Sequence, residues 1–265
     1  MPYANVNGIS LYYDMEGCGP PLILITGFGG DVGFWRRASE MLSKRFTLIK
    51  IDNRGAGNTL YNGRFTLDNI ADDIVRLVDE LGLGRVSLLG WSMGSHIAQK
   101  AALLMPERVT ALVLVSSYRY RPSRFNYIVT SMIDAAEGGM PTEYFAKVLN
   151  CICYTEEFFK GREGAGKGVR SYGFRDLTGL RYQIEAMGAS DMTDLARGIR
   201  VPTLLIHGSR DATVECEEGL RLSGSIPGCD AVVLEGAGHL IPADEYVPLA
   251  MGFIERCLAR ERGAE

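Results

Sequence analysis

The sequence of 265 residues has only three histidines, no repeated Cys-x-x-Cys spacing, no excess of basic residues and no long apolar run. Each shortage closes a class of function. With 28 lysines and arginines against 32 acidic residues the formal charge is -4, so no nucleic-acid partner is expected. Its longest apolar runs, such as residues 20–25 and 111–115, are far shorter than the roughly 20 residues of a transmembrane helix, so no membrane span is expected. The first residues lack the basic cluster and apolar stretch of a targeting segment, and a cytoplasmic location is the expectation. Six scattered cysteines (Cys18, Cys151, Cys153, Cys216, Cys229 and Cys257) read as free thiols of a reducing compartment. Cys151 and Cys153 are the one pair that invites a metal, and with no histidine beside them no metal is expected.

What is present is ordinary for a soluble globular chain: 46% hydrophobic, 23% charged and 32 glycines. The sequence around Asn7-Gly8 alternates apolar and polar residues, and both turn residues tolerate positive φ, which predicts an antiparallel hairpin. Continuous apolar runs at Leu22–Thr26, Phe46–Ile51, Val86–Leu89 and Val109–Val115 predict strands buried on both faces, separated by helical periodicity. One helix should be capped by Thr66 and run through Leu81 to a stop at Gly82; another should run from Met93 to Met105, ahead of Pro106. This alternation predicts an α/β fold with a mainly parallel, doubly wound sheet. It is interrupted at residues 118–200 by short helical patterns, read as an inserted helical lid, so that residues 1–117 and 201–265 make the core.

The chemistry concentrates at Gly90-Trp91-Ser92-Met93-Gly94, between a predicted strand and a predicted helix. A G-x-S-x-G motif is common by itself, and a serine hydroxyl is a poor nucleophile until a base takes its proton and a carboxylate orients that base. His96 lies inside the helix that follows Ser92 and reads as a buried helix residue. His207 ends a strand and reads as a structural hydrogen-bonding residue. His239 follows a strand and a glycine-rich loop, which can carry its imidazole across the sheet end, and is the candidate base. Asp211, directly after another strand, is the candidate orienting acid; Asp230 precedes a strand and Asp244 follows the histidine, so neither has the expected placement. Backbone N–H groups must meet the developing oxyanion, each worth about 3 kcal/mol. Met93 supplies one by position, and Phe28, between Gly27 and Gly29, is the candidate for the second.

With those residues in that order, the chain resembles an α/β hydrolase with a helical cap over nearly its full length. The segments TGFGGDVGFW, DNRGAGNT, GWSMGS, HGSRDATV and EGAGHLIP fall in the family's order and spacing. The style is similar to 3-oxoadipate enol-lactonases and pimeloyl-ester carboxylesterases. The resemblance implies a carboxylesterase or lactonase with a Ser92–Asp211–His239 triad, no cofactor, and a small ester or lactone plus water as reactants. Thr26 departs from it, since the family usually has histidine there, and so does Ser95, where many members have a third glycine. Related dehalogenases and epoxide hydrolases use aspartate at the elbow, so Ser92 argues against both chemistries. Carbon–carbon hydrolysis of a diketone-like compound, and non-hydrolytic binding of a small molecule on the same scaffold, are the alternative functions.

Substrate choice should lie in the lid. Trp91, Tyr144 and Phe145 are candidate pocket residues, with Met132, Tyr154, Phe158, Phe159, Tyr172 and Met187 as further apolar candidates, against the plainer role of packing lid onto core. Arg119, Arg121 and Arg124 would suit a carboxylated substrate; otherwise they form a solvated face. Arg54 reads as a structural brace.

Overall fold

The structure, a computed structural model, describes residues 3–160 and 176–263. Its strands are β1 (Tyr3–Val6), β2 (Ile9–Glu16), β3 (Pro21–Ile25), β4 (Thr47–Ile51), β5 (Val86–Trp91), β6 (Val109–Val115), β7 (Thr203–Gly208) and β8 (Asp230–Leu234). They form one 8-stranded sheet in the order β1-β2-β4-β3-β5-β6-β7-β8. The β1–β2 and β2–β4 pairs are antiparallel, and each remaining pair is parallel. Asn7 and Gly8 make the hairpin turn with φ of 47° and 72°, as their ability to take positive φ predicts. The central strands β5 and β6 are buried at every position, which is why they read as unbroken apolar runs. β5 continues past the apolar run through Gly90 and Trp91, so the strand runs right up to Ser92.

The helices are α1 (Arg36–Leu42), α2 (Leu67–Glu80), α3 (Met93–Leu104), α4 (Ser123–Glu137), α5 (Thr142–Cys153), α6 (Glu156–Phe159), α7 (Leu177–Gly188), α8 (Cys216–Ser225) and α9 (Ala243–Arg262). Thr66 caps α2 by accepting from the Asn69 N–H, while the Asn69 side chain accepts from the Thr66 N–H. Two of the orphan donors at that helix start are thereby satisfied.

Alternate residues of each strand point to opposite faces, and each face buries its own core. Ile23 and Ile25 join Ile70, Ile74 and Ile97 of α2 and α3 on one side. Leu22 and Leu24 join Leu42, Val247 and Ile254 of α1 and α9 on the other. Between β6 and β7 the described chain holds helices joined by loops and no strand, with one isolated bridge of Tyr120 with Asp191. Phe125 of α4, Leu149 of α5 and Leu180 of α7 reach into the first core from that segment, so it is packed down rather than hung from the sheet edge.

Candidate active site

Ser92 occupies the single residue between β5 and α3, with φ 51° and ψ -116°. A non-glycine residue held there costs about 1–3 kcal/mol, so its surroundings must enforce it. The Ser92 N–H donates to Val115 O at 2.9 Å, and Ser92 O accepts from the Ser95 N–H at 2.9 Å and from Ser95 Oγ at 2.5 Å. Ser95, where the resemblance leads one to expect glycine, thus uses its hydroxyl to hold the elbow. A Cβ on Gly90 would collide with Gly94 O, and one on Gly94 with Ile25 O and Thr26 O. Both glycines are required by close backbone approach, and the serine hydroxyl is left at the turn's apex.

The histidine and aspartate arrive from the ends of β8 and β7. His239 Nδ1 lies 2.7 Å from Asp211 Oδ2. Facing a carboxylate, Nδ1 carries the proton, which leaves Nε2 as the basic nitrogen. Asp211 Oδ1 accepts from the Thr213 and Val214 N–H groups, each at 2.8 Å. Burial pushes the Asp211 carboxyl up, but the charge of His239 and the bonds from His207 and His239 outweigh it and hold the carboxyl below its ordinary range. The backbone of His239 is itself fixed: Ser116 Oγ donates to His239 O at 2.9 Å, and the next N–H, of Leu240, donates to Cys153 O at 3.0 Å.

Ser92 and His239 line one narrow cavity of about 40 Å³, together with Gly27, Phe28, Trp91 and Phe125. Phe34, Leu149, Cys153 and Leu240 join the lining, which among the described residues carries no lysine, arginine, aspartate or glutamate. No hydrogen bond joins Ser92 Oγ to His239 among the described residues; such contacts commonly tighten only when substrate is bound. The glycine before Phe28 sits directly against Ser92, since a Cβ on Gly27 would lie 3.2 Å from Trp91 O and 3.3 Å from Ser92 Cβ. Neither the Phe28 N–H nor the Met93 N–H donates to an acceptor among the described residues. Thr26, in place of the expected histidine, donates from Oγ1 to Gly30 O at 3.0 Å and its carbonyl accepts from Asn53 Nδ2 at 3.0 Å. The hydroxyl closes the loop of residues 27–30 from below.

The structure gathers Ser92, His239, Phe28 and Trp91 around the cavity, sets Met93 at the adjoining helix start, and puts Asp211 behind the histidine. Among the described residues it does not bring in the other pocket candidates. Arg119 makes a paired bond to Glu218 of α8, at 2.6 and 3.0 Å. Arg121 donates to Ile184 O and Arg124 to Ala212 O. All three guanidiniums bond to protein acceptors and none lines the cavity, so the structure does not gather them into a carboxylate-binding cluster there. Tyr144 is exposed beneath Lys147, and Phe145 is fully buried in the core. Both follow from helical spacing, in which adjacent residues of α5 face different surroundings. The same geometry separates Cys151, exposed, from Cys153, buried. Met187 is core, Tyr154 stacks on Phe158, and Tyr172 lies outside the described residues.

The two histidines set aside are both internal. His96 is buried, 3.2 Å from Ser190 Oγ and edge-on to Tyr118; burial, helped by Lys100, pushes its pKa down to about 3. His207 Nε2 lies 3.1 Å from Val214 O, the backbone bond its position suggested, and also faces Asp211. Arg54 braces the core through two bonds to the buried Asp73, at 2.6 and 2.7 Å. Two residues the sequence reading passed over, Ser116 and Gln183, touch the site's backbone. Ser116 gives no sequence signal. Gln183 does: it is the polar member of the stripe Leu180, Gln183, Ile184, Met187, which is otherwise the buried apolar face of α7.

A family model described as the alpha/beta hydrolase fold matches residues 20–137. RutD of Azorhizobium caulinodans, provisionally named a carbamate hydrolase, is 28% identical over 262 residues, covering 96% of this chain and 98% of its own. The pimeloyl-[acyl-carrier protein] methyl ester esterase of Aliivibrio fischeri is 25% identical, covering 93% of this chain and 98% of its own. A thermophilic esterase from Thermogutta terrifontis superposes with a TM-score of 0.84 at 25% identity, covering 96% of this chain and 97% of that one. An enol-lactonase from Burkholderia xenovorans superposes at 0.81 with 24% identity, covering 97% and 98%. The chain therefore has the α/β hydrolase fold, and the resemblance read from its motifs extends across nearly all of it. The relatives just described carry hydrolase names, and a provisionally named non-heme bromoperoxidase of Mycobacterium tuberculosis is 26% identical, covering 88% of this chain and 91% of its own. Among the described residues no helix is long and apolar enough to cross a membrane, and no cluster of histidine, cysteine and acidic residues could hold a metal ion.

Proposed function

We propose that the protein is a serine hydrolase that cleaves a carboxylic ester or lactone of a small, neutral, largely apolar molecule through an acyl-enzyme on Ser92. The observation that carries this reading is the Asp211–His239 bond of 2.7 Å, with His239 opening onto the same cavity as a serine held at positive φ. In the first step His239 Nε2 takes the Ser92 proton as Oγ bonds to the carbonyl carbon. The Phe28 and Met93 N–H groups receive the charge that collects on the carbonyl oxygen, in a site where burial strengthens both bonds. Collapse breaks the carbon–oxygen bond of the ester, and the departing alkoxide takes the proton from His239. Water, deprotonated by the same nitrogen, then attacks the acyl-enzyme and releases the acid. Asp211 holds the imidazole in one tautomer and stabilises it while charged.

The neutral, aromatic lining and the cavity's small size favour an uncharged substrate with a short acyl group. The relatives named for ester, lactone and carbamate hydrolysis support the same bond class. On this reading residues 118–200 act as the cap, supplying Phe125, Leu149 and Cys153 to the cavity roof, and the free thiols suit the reducing cytoplasm.

The test is labelling by a fluorophosphonate probe of wild type and Ser92→Ala, followed by a panel of short esters, lactones and diketones. Labelling confined to wild type, with ester or lactone turnover, is the expected result. A folded wild type that neither labels nor turns over any of the panel would overturn the proposal, and turnover of diketones alone would move the chemistry to carbon–carbon cleavage.

A further inference from the structure

Gln183 is fully buried on α7, far in sequence from any residue of the elbow. Its Oε1 accepts from the Gly29 N–H at 2.8 Å and its Nε2 donates to Arg54 O at 2.8 Å. Only this orientation of the amide satisfies both partners. From these contacts we infer that Gln183 is a positioning residue for the oxyanion site: it locks the peptide that follows Phe28, so the site is complete only when α7 is seated. The inference rests on the reading of Ser92 as the nucleophile.

The amide is anchored to the rigid part of the molecule at its far end. Arg54 is held by its double bond to Asp73 of α2, and Asp73 also accepts from Asn7 Nδ2 at 2.9 Å. One turn earlier on α7, Gly179 lies so close to Gly55 that a Cβ on either would strike the other's backbone. The register of α7 against the residue 52–58 loop is therefore set sterically, and Gln183 transmits that register to Gly29.

At the near end, the Gly29 N–H belongs to the Phe28–Gly29 peptide. Its plane sets ψ of Phe28 and so the direction of the Phe28 carbonyl, on the same residue as the Phe28 N–H. Gly29 has φ of 61° and no side chain to resist rotation. Thr26 closes the loop from the other side through Gly30 O and makes no hydrogen bond to this peptide. Without Gln183 this half-buried N–H would lose its partner, and the cheapest relief is for the peptide to turn toward another acceptor. Such a turn swings the Phe28 carbonyl beside the donor N–H and disturbs the site there, while the rest of the cavity lining stays in place.

The test compares Gln183→Met, near-isosteric but unable to make either bond, with Gln183→Glu, which keeps an acceptor for Gly29. Arg181→Gln serves as the control, because Arg181 ties α7 to α4 through Asp134 and Glu137 without reaching the loop. Each folded variant is assayed with p-nitrophenyl acetate and with a trifluoromethyl ketone that mimics the tetrahedral intermediate. Gln183→Met should lower kcat about 10- to 100-fold with KM within about twofold, and weaken the ketone by the same factor as kcat/KM. Gln183→Glu should recover most of both, and Arg181→Gln should lower the melting temperature alone. An unchanged kcat in Gln183→Met, a loss confined to KM, or a kcat loss without matching ketone weakening overturns the inference. If Gln183→Met does not fold, Gln183→Glu decides: activity no better than about 1% of wild type in a folded protein also overturns it. A wild type that fails to label with fluorophosphonate overturns the reading of Ser92 first, and is seen before any variant is made.

Discussion

Asp211 Oδ2 faces two imidazoles at once, His239 Nδ1 at 2.7 Å and His207 Nε2 at 3.3 Å. With the two backbone N–H groups on Oδ1, the carboxylate is surrounded by donors on both oxygens. On the proposed mechanism Asp211→Asn puts the wrong tautomer on His239 and lowers kcat by about 10³- to 10⁴-fold. His207→Leu removes one donor and leaves Val214 O unpaired, so it should cost about 1–3 kcal/mol of stability and a smaller share of kcat. Urea unfolding and ester kinetics on the two variants check the order. Equal kcat losses would place His207 in the chemistry itself.

The elbow's glycines make a paired prediction. Gly94→Ala drives a methyl into the carbonyl oxygens of Ile25 and Thr26, which belong to the central sheet and its end and cannot yield cheaply. It should lose about 3 kcal/mol or more. Gly84→Ala, where a Cβ meets nothing within 4 Å, should stay within about 0.5 kcal/mol of wild type. Denaturant midpoints measured side by side decide it.

Arg54 and Asp73 form an ion pair with side chains only 9% and 1% exposed. Arg54→Met strands a buried carboxylate and should cost about 3–5 kcal/mol, whereas Arg54→Met with Asp73→Leu should recover most of that loss. A double variant no more stable than the single one would show that the brace does more than neutralise Asp73.

His96 stays neutral in the folded protein down to about pH 3, because burial, and then Lys100, disfavour its charge. The unfolded chain's histidine protonates near pH 6.5, so below that pH the unfolded state binds the extra proton and stability falls as pH drops. At pH 5 the loss from this one group is about 2 kcal/mol. His96→Gln, whatever its stability at pH 7, should lose about that much less between pH 7 and pH 5. Parallel slopes for the two proteins in urea titrations would refute the assignment.

Arg119 is committed to Glu218, with side chains 19% and 10% exposed. Arg119→Met should lower stability by about 1–2 kcal/mol, solvent screening keeping it below a fully buried pair, and leave KM for a neutral short ester within about twofold. A large KM rise specific to anionic esters would return Arg119 to the substrate.

The strand–helix alternation, the hairpin at Asn7-Gly8, the cap at Thr66 and the nearness of Ser92, Asp211 and His239 were legible in the order of residues, because each is written in local terms: period, turn chemistry, and a polar residue at a strand end. Burial of β5 and β6 on both faces is likewise a local composition. Tertiary structure alone decided what depends on where distant side chains end up. Arg119, Arg121 and Arg124 are a basic cluster in the chain, yet each meets an acceptor from a remote element, and the cluster dissolves on folding. Tyr144 and Phe145 are neighbours in sequence and opposites in burial. Gln183 shows the converse: a side chain with no motif around it reaches the residue 27–30 loop because α7 packs across Gly55. A hydrogen bond between residues separated by most of the chain has no local sequence correlate, so only the assembled packing can assign it.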